Sequence, residues 1–519
     1  MTALIEHLKN LERLEIISLD QSDSELEYAF KHVFTQESVY GSLLHSDRRR
    51  IHQRVGEVLE RLLSQTLEDG DTAFLLAYHF EQSEDKARAL NYMRCAADSA
   101  RNVYANQEAK SLYMRAIALL DKDDYANRWQ LLASQERILD RLGERERQAD
   151  TLIQMQTVAE LRADNEILAA THNRRSVYFD KVSEYQAAAE AAAVGLRVAR
   201  RSSRAHLQAE SLNLLALAAW RRFDYPQVQH WASQALAALQ VIGHPAARVT
   251  SLFHLGKASY RLGQYDRALE YCQAAQKLTH NTDNRDGEAT SYLILGWIYQ
   301  RLGDYDLAAQ NYREKLNVRR TIGDRYGEAT ALSHLGWVAF DQQDPQAGQN
   351  YCCQALAISQ AINDRENEAY ALSGLGLNHE ALEDLDAATS SYRAALNIHT
   401  EIGASTLAIF DRAGLARIAL AQDDRSAALD HIMPVVDWIK SGNAQKFWDP
   451  WIIYQSTYGV LATLEETDTA LAILDEAHTV LYQRANKISD KDLRDCFLSK
   501  VAANQALNQA WHEAHRLTA

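Results

Sequence analysis

Arginine recurs at a fixed interval in this chain, at Arg221, Arg261 and Arg301. Trp220 precedes the first, Tyr260 the second, and Trp297 stands four residues before the third. Lys257 stands four residues before Arg261, and Trp337 and Phe340 continue the series one interval on. Residues four apart on a helix share one face. A planar guanidinium beside an aromatic ring can grip a carboxylate through two hydrogen bonds, and the pair has the composition of interface anchors. A merely solvated face accepts Lys, Gln or Glu equally well. Trp220, Arg221, Lys257, Tyr260, Arg261, Trp297, Arg301, Trp337 and Phe340 are therefore the candidate partner-binding residues. The chemistry they suit is capture of a peptide or protein bearing Asp, Glu or a free carboxylate.

No residue pattern points to catalysis. Gly-x-Ser-x-Gly, Cys-x-x-Cys and paired-carboxylate constellations are missing, as is the Gly-x-x-x-x-Gly-Lys-Ser/Thr phosphate loop. His512-Glu513-Ala514-His515 has helical spacing but lacks the His-Glu-x-x-His zinc pattern. The expectation is no catalytic residue, no cofactor and no metal, hence no enzyme. Five scattered Cys predict no disulfide framework and suit a reducing cytoplasm. Cys352 and Cys353, being adjacent, point to different faces of a helix. A net charge of −15 gives no electrostatic footprint for nucleic acid. Arg48-Arg49-Arg50 is too short to change that and reads as a solvated face. No apolar run is long enough for a membrane span, and no signal peptide is seen.

The elements that position the arginines repeat with a period of 40 residues. Leu-Gly recurs at Leu255-Gly256, Leu295-Gly296, Leu335-Gly336 and Leu375-Gly376. Ten residues on from each Leu comes a turn followed by Tyr265, Tyr305, Pro345 or Leu385, with Tyr185 and Tyr225 in earlier copies. Ala188, Ala268, Ala308, Ala388 and Ala428 keep the register, which holds from about 170 to about 436. Apolar spacing within each unit is helical, as in Leu252, Leu255 and Leu262, then Tyr265, Ala268 and Cys272. Two antiparallel helices per unit follow. Gly256 and Ala268 fall where the pair approaches most closely. Asp324 and Asp364, each followed by Glu in the next turn, predict helix N-caps. Length and scarcity of Pro fit an extended all-α array, a superhelix of helix hairpins.

A 40-residue period also occurs in HEAT repeats and propeller blades, but the strands and Trp-Asp signatures of a propeller are missing. Leu295-Gly296-Trp297-Ile298-Tyr299, with Ala308 and Tyr312, resembles the tetratricopeptide consensus, which HEAT repeats would not produce. The units resemble those of kinesin light chains and Pins-like polarity adaptors, whose concave faces hold peptides. The resemblance implies a right-handed superhelix whose concave face is lined by the first helix of each hairpin. On that face the exposed positions form three ladders: Trp220, Tyr260, Gln300, Phe340; Arg221, Arg261, Arg301, Asp341; and Leu217, Lys257, Trp297, Trp337, Leu377.

The ends differ. Leu4 to Ile17 reads as a helix, and Ile16–Leu19 with Leu26–Phe30 as a β-hairpin wing around Gln21-Ser22-Asp23-Ser24. The segment Tyr28-x-Phe30-x-His32-x-Phe34-x-x-Glu37-x-x-Tyr40, then Arg48-Arg49-Arg50-Ile51-His52, resembles the winged-helix junction of bacterial STAND-type signalling ATPases. So do Leu76-Ala77-Tyr78-His79-Phe80 and Arg494-x-x-Phe497-Leu498-x-x-Val501. The resemblance implies a nucleotide-sensing role for His32, at the place of the family's winged-helix His that contacts ADP phosphate. Many relatives carry Asp after that His, where this chain has Val33. The first winged-helix helices and the NTPase are not in this sequence, so the NTPase is expected upstream or on a separate polypeptide. An incomplete winged helix would leave Leu4, Ile5, Leu8 and Leu11 without cover.

The expected organisation is a partial winged-helix segment over 1–66, a helical linker with the first hairpins over 67–125, the array over 126–450, and a terminal hairpin with one capping helix over 451–519. The expected function is a ligand-sensing and protein-interaction module of a cytoplasmic STAND-type signalling protein. The alternative is a free-standing adaptor with no nucleotide switch.

Overall fold

The structure is a computed structural model and describes residues 2–22, 25–64, 69–202, 204–240, 244–280, 284–447 and 449–516. Helices dominate the described residues, and the sole sheet among them is a two-stranded hairpin. The all-α repeat architecture expected from the period is what the chain adopts. Contacts divide it into two compact units, Met1–Tyr178 and Phe179–Ala519, a division inside the stretch read as one array from 126.

In the first unit, Ile17–Ser22 pairs antiparallel with Glu25–Phe30, Ile17 opposite Phe30, where the sequence predicts a β-hairpin. The helices Thr2–Arg13 and Val33–Ser42 flank the hairpin. Ile5 and Leu11 are exposed and Leu8 is half-buried, while the side chain of Leu4 lies outside the described residues. Val33 and Phe34 are also exposed. The unit's core begins later, around Leu76, Phe80, Met93, Leu112 and Tyr113. Gly56 is held there by the Phe80 ring, which leaves no room for a Cβ without a shift.

In the second unit the hairpins follow the 40-residue beat. The first helices are Ala205–Arg221, Pro245–Arg261, Arg285–Arg301, Arg325–Asp341, Arg365–Ala381 and Ser405–Ala421. The second helices are Tyr225–Ala238, Tyr265–His280, Tyr305–Thr321, Pro345–Ala361, Leu385–Glu401 and Arg425–Lys440. Local chemistry sets these boundaries. Asp324 accepts from the Gly327 N–H at 2.9 Å and Asp364 from the Asn367 N–H at 3.2 Å, as the cap pattern predicted. Each such cap stabilises its helix by about 1 kcal/mol. The turn inside each hairpin needs a left-handed residue, supplied by Gly263 and Gly303 but by Phe223, Gln343, Glu383 and Asp423 elsewhere. The small residues work by close approach: a Cβ on Gly296 would collide with the Tyr312 ring, and one on Gly376 with Tyr392.

Successive first helices pack on one another more extensively than successive second helices do. The first helices are therefore the inner layer of the array. Beyond the repeats come Trp451–Thr463, Thr467–Ala485, Lys491–Ser499 and Ala502–Arg516. The closing segment, read from sequence as a single capping helix, is two helices broken at Lys500 and Val501. These C-terminal elements lie back on the turns of earlier hairpins. The Ser489 N–H donates to Asp266 Oδ2 at 3.0 Å across 223 residues. Phe497 packs on Tyr265 and on Trp451 with ring centroids 5.8 and 5.7 Å apart.

Candidate functional site

The three ladders stand on the inner layer, because the repeated helix Ala205–Arg221 and its successors carry them at the same positions, though with unequal burial. Their members meet different surroundings along the array. Arg221 grips Asp180 through both carboxylate oxygens, Nε at 2.9 Å and Nη2 at 3.0 Å, and lies over the Tyr185 ring. That hydrogen-bonded partner holds its guanidinium above the ordinary Arg value. Arg261 lies over the Trp220 ring at 5.5 Å. Lys257 is half-buried beside them. Burial pushes its ammonium below the ordinary Lys value, and the charges of Arg221 and Arg261 push the same way against the nearby Cys272. Arg221, already paired with Asp180, and Arg261 flank the Lys257 ammonium, where an added carboxylate would offset the like charges that Lys257 meets.

Arg301 is placed otherwise. It is buried and ion-paired with Asp449 from the C-terminal region. Burial opposes its charge, but Asp449 together with Tyr260, Tyr265 and Asp341 outweighs that and raises the guanidinium, while burial raises the Asp449 carboxyl. Tyr260 is buried as well and stacks on Trp297 with centroids 5.8 Å apart. In the first ladder, Gln300 donates to Asp341 Oδ2 at 2.7 Å and accepts from the Tyr312 hydroxyl at 3.0 Å. Burial pushes the Asp341 carboxyl up to about 6, against the hydrogen bond from Gln300 and the charge of Arg301.

The tryptophans bind their neighbours. Trp297 donates to His334 Nε2 at 3.3 Å. Trp337 stacks on Tyr370 at 5.0 Å and packs against Phe410 at 4.9 Å. Tyr260, Trp297, His334, Tyr370, Trp337 and Phe410 form a chain of ring contacts from one repeat to the next. Of the nine candidates, Trp220, Arg221, Lys257 and Arg261 gather at one end. Arg301 and Tyr260 are taken into the fold, and Trp297, Trp337 and Phe340 are half-buried along the layer.

Three inner-layer residues escaped the sequence reading: Glu380, Arg417 and Leu420. Their signal was present, since they continue the ladders of Phe340 and Leu377 by one and two periods. Arg417 Nε and Nη2 donate to the two Glu380 oxygens at 2.7 and 2.6 Å, and Nη1 donates to Ser456 Oγ at 2.6 Å. With Phe340 and Leu377 they line a cavity of about 750 Å³ walled also by the C-terminal helices.

His32 caps the helix Val33–Ser42 without a side-chain hydrogen bond to it, and is exposed. It belongs to the first unit. Among the described residues no group of three His, Cys, Asp or Glu side chains could hold a metal ion. No described helix is long and apolar enough to cross a membrane.

The tetratricopeptide repeat family matches residues 247–321 and 327–401. No curated protein sequence matches the chain. A STAND protein with a tetratricopeptide repeat sensor from Pyrococcus horikoshii is similar in structure, at 14% identity and a TM-score of 0.51. That match covers 78% of this chain and 60% of the other, so the chain spans under two thirds of that relative. A Rap protein solved in complex with competence and sporulation factor matches at 13% identity and TM-score 0.52, over 70% of this chain and 99% of that one. The apo form of RapI matches at 14% identity and TM-score 0.50, over 66% and 95%. At these identities the likeness is one of fold, and the chain carries tetratricopeptide repeats arranged as in those proteins.

Proposed function

We propose that this chain is a protein-interaction module whose inner repeat face holds a peptide or protein segment bearing acidic groups. The observation that carries the reading is the grouping of Arg221, Lys257 and Arg261 on adjacent first helices, with Arg261 over the Trp220 ring and Lys257 facing both guanidiniums. Trp220 and Tyr185 give the two guanidiniums flat apolar support, which favours planar groups such as carboxylate and amide. The fold likeness to a Rap protein solved with competence and sporulation factor is consistent with this use of the array. Arg301 serves the fold in this reading and is not offered to the partner.

A finer reading places the module in a STAND-type signalling protein, with the nucleotide switch on another segment or polypeptide. It rests on the resemblance of residues 28–52 and on exposed Ile5, Leu11, Val33 and Phe34, which suit burial against such a partner. His32 would face the nucleotide only in that assembly.

The test is binding of the full chain to immobilised decapeptides with acidic, basic or uncharged polar centres, alongside the Lys257→Met/Arg261→Gln double variant. Acidic peptides should bind best, and the double variant should weaken them at least tenfold, a loss of about 1.4 kcal/mol or more. Equal binding of acidic and basic peptides by the native chain would refute the reading.

A further inference from the structure

Toward its C-terminal end the inner layer changes character. The cavity of about 750 Å³ is walled by Phe340, Leu377 and Leu420 on the first helices, and by Ile452 and Tyr458 on Trp451–Thr463. Leu507 on Ala502–Arg516 adds to its wall, and it opens to solvent beside Gln455 and Gly459. Its volume falls in the range of ligand clefts. Two ionised groups reach its wall, Glu380 and Arg417, and they neutralise each other through a two-pronged pair further tied to Ser456. An ion entering here would find no unbalanced opposite charge to offset its lost hydration. The occupant that fits is uncharged.

Gly459 supplies a second, independent observation. It lies inside the helix Trp451–Thr463 and lines the cavity, and a Cβ built on it meets nothing within 4 Å. Gly296 and Gly376, in contrast, are filled against by tyrosine rings. A helix-interior Gly weakens its helix relative to Ala. At Gly296 the packing accounts for that cost, whereas at Gly459 no packing does, and what the missing side chain leaves is room.

We propose that this cavity takes uncharged apolar side chains of an extended peptide, a subsite that rests on the inner-face reading above and extends it. A peptide is the occupant because the cavity continues the ladders of the inner layer. Gln455 and Thr463 also bring an amide and a hydroxyl to its edge, the groups that bond a peptide backbone.

The experiment probes immobilised decapeptides, with centres that are apolar, acidic, basic or uncharged polar, using the full chain and its Gly459→Ala, Gly459→Leu and Ala510→Leu variants. Ala510 lines the cavity from Ala502–Arg516, so the two Leu variants fill it from different helices. The native chain and Gly459→Ala should hold apolar-centred peptides, and each Leu variant should weaken them at least tenfold with its melting temperature retained. Unchanged retention by both Leu variants would overturn the proposal. So would Nile red binding in the cavity that no peptide displaces, which would make it a small-molecule site. Acidic-centred peptides held irrespective of residue 459, with apolar ones ignored, would sink the cavity and leave the inner-face reading standing. No retention of any peptide class would sink both.

Discussion

The inner layer carries the same three ladders through two stretches that end up unlike. From Trp220 to Arg301 the ladders hold cations and aromatics with one Gln, and Asp449 from the C-terminal region reaches in to meet Arg301, while Phe497 packs on Tyr265 of the neighbouring second helix. From Phe340 to Leu420 the same positions hold Phe, Leu, Glu, Ala and Arg, and the C-terminal helices leave a cavity there. Asp341 marks the change, standing one period after Arg301 and one before Ala381. The difference teaches that a repeated position fixes a place on the inner helix but neither its burial nor its use. Whether it binds outward or locks inward depends on what a distant segment brings to it.

Cutting the lock gives the largest expected effect. Asp449→Ala leaves Arg301 buried without its partner, and the loss of one member of a buried pair costs about 3–5 kcal/mol. Urea denaturation of the full chain measures this. A change below about 1 kcal/mol would mean the first stretch is no more locked than the second.

Asp341 supplies a pH test at the junction. Its folded-state pKa, about 6, lies above its ordinary 3.8, so the folded protein binds more protons than the unfolded chain between roughly pH 4 and 6. This group therefore favours folding at low pH, and that contribution is lost as pH rises through the window. Asp341→Asn should differ from the native protein with a slope across pH 4–6 of at most about 1.4 kcal/mol per pH unit, and the two should run parallel above it. Thermal unfolding at a series of pH values gives the difference, and parallel curves throughout would place Asp341 in solvent.

Smaller effects sharpen the contrast. Gly459→Ala should stabilise the protein by up to about 1 kcal/mol, since the added methyl meets open space. Destabilisation would mean the cavity wall is packed as tightly as the first stretch. Arg221→Ala should cost least, about 0–1 kcal/mol by denaturation, because its pair with Asp180 is partly exposed. A loss as large as that of Asp449→Ala would put Arg221 among the locked residues.

Much of this was legible in the chain. The 40-residue beat, the Asp caps and the glycine approach at Gly256 all follow from local patterns, and so does the hairpin at Ile17–Phe30, because each depends on neighbours a few residues away. The cation cluster was legible from Lys257 and Arg261, four apart on one face, and from Arg221 one period before Arg261. The pairing of Arg301 with Asp449 was not, since nothing near either residue encodes a contact made by a chain folding back from beyond the repeats. Gly459 was invisible for a related reason: it lies outside the period, and its meaning comes from what does not touch it. Glu380 and Arg417 were readable but unread, because the ladders change chemistry at Leu377 and so look finished.

The central claim, that the inner layer holds the partner, is tested most directly by site-specific photo-crosslinking. A benzoylphenylalanine is placed at Tyr458, on the cavity wall, or at Arg393, on the exposed side of the second helix Leu385–Glu401. Each full-length protein is then irradiated with the tightest peptide from the array. The account predicts covalent adducts from position 458 and none from 393. Adducts from 393 with none from 458 would contradict it.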